Sequence, residues 1–144
     1  MSASPKRVKQ NNAFGCWAAC MESWTTAVTY WDTISQEEIA RIYGGAKDSL
    51  DSSSSAFTRF CRDYGLGVQK FDAGQLDLEI VSNVIYAPWD YAMVFEKELV
   101  NASHARLVYR VGNDKISVME PRDGSLATRI ASNLKTTLLL SPGL

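Results

Sequence analysis

Three cysteines and one histidine are the residues of this 144-residue chain best suited to nucleophilic chemistry: Cys16, Cys20, Cys61 and His104. A sulfur nucleophile needs thiolate character, a base within reach, and donors for the negative oxygen that develops on an attacked carbonyl. Cys16 meets the first need. It opens a stretch with helical spacing and follows Gly15, a residue free to take backbone conformations that others avoid. Positive partial charge at a helix N-terminus and a neighbouring imidazolium lower a thiol pKa to roughly 3.5–7.5. His104 supplies the base, at the mouth of an alternating strand. Glu120, at the end of the following strand, is placed to orient the imidazole, and Asp123 is the reserve candidate. Cys20 lies one turn after Cys16 and Cys61 falls at core spacing on another helix, so both read as structural thiols. A Cys16–Cys20 disulfide does not suit a regular helix, because Cβ atoms four residues apart are too distant.

The elements that must position these residues are legible in the spacing of apolar side chains. Trp17, Met21, Trp24, Val28 and Trp31 recur at intervals of three or four, which predicts a central helix from Cys16 to Trp31. Ser35 and Glu38 form a capping-box signature for a second helix, closed by Gly44-Gly45. The serines at 52–55 supply the cap of a third, which carries Phe57, Phe60, Cys61 and Tyr64 and stops at Gly65. Residues 77–85 favour a short helix. Residues 91–96 read as a strand. From Ala105 to Val111 apolar residues alternate with Arg106 and Arg110, which predicts a half-buried strand beginning just after His104. Gly112-Asn113-Asp114 supplies a hairpin turn to a partner strand at 115–120, and two further strands are expected at 126–130 and 136–140. Helices first and an antiparallel sheet after them make an α+β domain. A strict two-residue turn at Asn113-Asp114 would pair Glu120 with Leu107, on the face opposite His104. A bulge or a longer loop is needed to bring them together.

Several of these segments also resemble a known family. Gln10, five residues, then Cys16-Trp17-Ala18-Ala19 is similar to the active-site segment of papain-like cysteine peptidases. His104-Ala105 resembles the family's histidine strand. Val118-Met119-Glu120-Pro121 resembles the segment of the third catalytic residue, and Ala87-Pro88 another feature of compact bacterial members. The nearest types are effector papain-like proteases and bacteriocin-leader peptidases. The resemblance implies a papain-like fold and assigns Gln10, with the Cys16 N–H, to the oxyanion. It also implies hydrolysis of a peptide bond through an acyl-enzyme. Glu120 departs from the family's usual Asp or Asn. The same residues would serve a glutamine deamidase or transglutaminase-type acyl transferase, and a catalytically dead binding module is the reading from another class.

Composition narrows the partners. A net charge of −1 points to no nucleic acid, and 46% hydrophobic residues suit an ordinary single domain. Residues 1–9 read as a flexible segment and 10–144 as the catalytic domain. No run approaches the roughly 20 apolar residues of a membrane span, and no signal peptide is evident. The expectation is delivery by a specialised bacterial secretion route, as an effector or toxin domain with an immunity or inhibitor partner, or else a cytoplasmic protein. Three cysteines in this arrangement suit neither a disulfide scaffold nor a zinc site, so no metal or cofactor is expected. Trp89, outside the helical stripe, is a candidate to line a substrate cleft together with Gly15.

Overall fold

A computed structural model describes residues 4–45, 49–71, 76–87, 89–99 and 102–144. Its elements run α1 (Cys16–Ala27), α2 (Gln36–Tyr43), α3 (Ser55–Tyr64), β1 (Gly67–Lys70), α4 (Leu78–Val84), β2 (Ala92–Leu99), β3 (Ala102–Val111), β4 (Lys115–Glu120), β5 (Ser125–Ile130) and β6 (Thr136–Ser141). The six strands form one antiparallel sheet in the order β1-β6-β2-β3-β4-β5. This is the expected α+β architecture with one addition. The four-residue β1 precedes α4 and pairs with β6 at the sheet edge, so the strands do not all follow the helices.

Two apolar layers sandwich the sheet. On one face α1, α2 and α3 pack their aromatic side chains against Met93, Phe95, Ala105, Leu107 and Met119. Trp17 meets Phe60 edge-on at 5.8 Å between ring centroids. On the other face α4 contributes Val81 and Val84 to a layer with Val94, Val108, Val118 and Leu139. The caps fall where the sequence places them. Ser35 accepts a hydrogen bond from the Glu38 N–H at 3.2 Å, and Ser54 one from Phe57 at 3.1 Å. Gly65, at φ 65°, closes α3 in the left-handed conformation that favours glycine.

α1 ends four residues earlier than its apolar spacing predicts. Thr25 Oγ1 accepts the Ile34 N–H at 3.1 Å, and Val28 is extended at ψ 162°. A β-branched stretch with a competing side-chain hydrogen bond leaves the helix here. Val28 and Trp31 still reach the core from the loop, and Trp31 lies 5.0 Å from Trp24 between ring centroids.

Residues 4–9, within the segment read as flexible, are tied to the domain. Val8 is buried in the helical layer, Ser23 donates to the Lys6 carbonyl at 2.5 Å, and Gln36 donates to that of Lys9 at 2.9 Å. Gly124 has φ 74°, and a Cβ there would come 3.1 Å from the Lys9 nitrogen. Polar neighbours in the sequence conceal a segment whose backbone is bonded from both sides.

Candidate active site

α1 runs through the middle of the helical layer, and its first residue meets β3. On its β4 side, β3 is paired only from Leu107 onward. Beyond the end of β4 the Ala105 N–H donates to Cys16 Sγ, at 3.4 Å. Gly15 caps α1 without a side-chain hydrogen bond, so no capping side chain occupies the first N–H groups of the helix. Its φ of −89° is ordinary, which corrects the expectation of an unusual backbone. Space is what the glycine provides: a Cβ would lie 3.3 Å from Asn12 Oδ1.

His104 is buried inside β3, which begins at Ala102 rather than after the histidine. Its Nε2 lies 2.5 Å from Glu120 Oε2, and the ring also hydrogen-bonds the Cys16 side chain. With Nε2 committed to the carboxylate, Nδ1 is the nitrogen left for sulfur. Burial opposes a charge on this ring. The hydrogen bonds to Cys16 and Glu120, with the charge on each, outweigh it and raise His104 to about 9. Burial alone would raise Glu120, yet the His104 hydrogen bond and the charges of His104 and Arg106 bring it down to about 2.

Glu120 reaches His104 because of a bulge. The hairpin closes tightly, with Gly112 N–H donating to the Lys115 carbonyl at 2.8 Å. Val111 pairs with Ile116 and Arg110 with Ser117, but Val108 then faces Val118. Tyr109 is the extra residue. The shift by one residue sets Leu107 against Met119, so Arg106 and Glu120 are the next pair, on the face that carries His104. It also moves Val111 to the face opposite Leu107, where it packs in the second layer. Asp123, the reserve candidate, is exposed and accepts from Ser125 N–H and Oγ in a turn.

Gln10 is anchored beside these residues, since its backbone N–H donates to the Pro121 carbonyl at 2.7 Å. Its side-chain amide donates to the Asn12 carbonyl at 2.7 Å. A primary amide carries two N–H donors, so one is left over from this bond. Trp89 is 63% exposed. It borders a cavity of about 420 Å³ with Tyr30, Tyr91 and Pro142, and none of the residues lining that cavity belongs to the Cys16–His104 cluster. The structure does not bring it to the site. Ala87 precedes β2, while Pro88 lies outside the described residues.

The other two thiols lie in the apolar layer. Burial raises Cys20 well above the usual thiol range, and Cys61 to about 11. All three cysteines are free. Two residues of the cluster escape the sequence reading. Arg106, expected on a solvent face, is buried, and its Nε donates to Glu120 Oε1 at 2.8 Å. Glu96, opposite His104 on β2, is buried and pairs with Arg106 NH1. The usable signals are an arginine two residues after the histidine, hence on its face, and a lone carboxylate ending the apolar run 91–95. Among the described residues no group of three or more His, Cys, Asp or Glu could hold a metal ion.

The fold is that of solved papain-like peptidase domains. The peptidase domain of Streptococcus ComA, a bi-functional ABC transporter involved in a quorum sensing pathway, matches with a TM-score of 0.70 and 16% identity, over 96% of this chain and 99% of that one. A double glycine motif protease from an AMS/PCAT transporter, solved in complex with the leader peptide, matches with a TM-score of 0.65 and 14% identity, over 97% and 91%. No protein-family profile and no curated protein matches the chain.

Proposed function

We propose that this protein is a cysteine peptidase that cleaves a peptide bond through an acyl-enzyme. One observation carries the reading: the His104 ring is shared between Cys16, at the start of α1, and the carboxylate of Glu120. Cys16 Sγ attacks the carbonyl carbon as a thiolate beside protonated His104, forming the S–C bond. The oxyanion is met by the Cys16 backbone N–H and the second N–H of the Gln10 amide. His104 then gives its proton to the leaving nitrogen, the C–N bond breaks, and a thioester remains. Water enters, gives a proton to His104 and attacks the thioester. The acid is released and the proton returns to the pair. Glu120 fixes the ring orientation throughout and stabilises its charge.

A peptide is the substrate class. A segment ending in Gly-Gly is the first to try, because one protein of similar fold is a double glycine motif protease solved with the leader peptide. The likeness of fold supports such leaders as the first substrates to try. The test is incubation with synthetic peptides carrying an internal Gly-Gly step, followed by mass spectrometry. Cut peptide with wild type and intact peptide with Cys16→Ala is the expected result. Equal cleavage by both proteins would end the proposal. A mass change at glutamine without cleavage would assign the same site to deamidation.

A further inference from the structure

The buried charges continue past the groups that the proposed reaction uses. Glu120 is held at both oxygens. Its Oε2 meets His104 Nε2 at 2.5 Å and the Arg122 N–H at 3.3 Å. Its Oε1 meets Arg106 Nε at 2.8 Å, with an Arg129 nitrogen from β5 at 3.5 Å. Arg106 NH1 pairs in turn with Glu96 Oε2 on β2, so one guanidinium spans the carboxylates of the strands on either side of it. Glu96 Oε1 is buried with no hydrogen-bond partner among the described residues.

Stability does not account for this arrangement. The same face of the sheet continues as Val94, Val108 and Val118, and apolar side chains in place of a buried ion pair are commonly as stable or more so. A buried carboxylate oxygen without a partner adds a further cost. Position is the better account. A glutamate has one more rotatable bond than an aspartate, and a guanidinium fixed at both ends removes that freedom.

Resting on the Cys16–His104 reading above, we infer that Arg106 is a positioning residue that clamps Glu120 against His104, with Glu96 anchoring the clamp. The groups facing the His104–Glu120 pair are Cys16 and Cys20 from α1, Glu96 from β2, Arg106 from β3, the Arg122 N–H and Asp123 from the turn after β4, and Arg129 from β5.

His104 is the only histidine in the chain, so its ring signals give one unambiguous NMR titration. Two variants separate position from charge. Glu96→Met with Arg106→Met removes both charges together and orphans neither, and Arg106→Lys keeps the charge but loses the fork. Thermal melts establish that each is folded. In wild type the midpoint is expected near 9. Clamping predicts that it falls by about one pH unit in the double variant, a tenfold change in the equilibrium, and falls by less in Arg106→Lys. Loss of Glu96 from beside His104 lowers the midpoint by itself, so Arg106→Lys, which keeps every charge, is the deciding variant: a role by charge alone predicts no change there. A raised midpoint in the double variant or an unchanged one in Arg106→Lys overturns the inference and leaves the Cys16–His104 pair intact. If the double variant does not fold, an unchanged midpoint in Arg106→Lys overturns the inference by itself. A wild-type midpoint at the ordinary 6.5 would overturn both the inference and the site reading.

Discussion

The two faces of β3 are built for different tasks. Ala105 and Leu107 point into the helical layer, among aromatic rings and apolar side chains. On the opposite face His104 and Arg106 are equally buried but sit among Glu96 and Glu120, and only from Val108 does that face become apolar. Alternation along one strand therefore separates adhesion from chemistry. The apolar face needs shape and volume. The charged face needs every partner present, since a buried charge left alone costs far more than a lost methyl group.

The comparison can be broken most severely at the sulfur. Cys16→Ala is expected to lower the rate of peptide cleavage at least roughly a thousandfold, whereas Cys61→Ala leaves it near wild type. Cleavage assays on the two variants check this. On the apolar face, Leu107→Ala is expected to cost about 2–5 kcal/mol through lost burial and a residual cavity, read by urea unfolding. The folded fraction keeps the wild-type titration of His104.

Glu120→Gln tests the charged face through pH. His104 is held above its ordinary 6.5, at about 9. The stability it contributes is complete below pH 6.5 and is lost as pH rises through about 9. Glu120 is depressed from 4.5 to about 2, so its contribution is present above 4.5 and is lost as pH falls through about 2. Glu120→Gln should flatten the melting temperature between pH 6.5 and 9, where wild type declines. A parallel decline in both proteins would contradict the pair. The smallest change lies away from β3. Ser54→Ala removes the cap of α3 and should cost about 1 kcal/mol, with cleavage unaltered.

Much of this was legible from local spacing, since caps, apolar periods and a helix start are short-range signals. Cys16 stood out from Cys20 and Cys61 because only it opens a helix. The His104–Glu120 contact required a bulge that residue types alone do not locate, and Tyr109 supplies it. Arg106 and Glu96 were not recognised because alternation shows that two faces differ, not that α4 covers the second one. β1 escaped for a simpler reason. Four residues at a sheet edge carry too short a pattern, and their pairing with β6 spans most of the C-terminal half of the chain.

The most direct test of the central claim is the pH dependence of Cys16 alkylation by iodoacetamide in the native protein, mapped by mass spectrometry. A free thiol becomes reactive near its pKa of about 8.5. The account predicts that at pH 6 Cys16, beside His104, is modified faster than the thiols of the unfolded chain, while Cys20 and Cys61 stay unmodified. Cys16 reacting no faster at pH 6 than the thiols of the unfolded chain would contradict it.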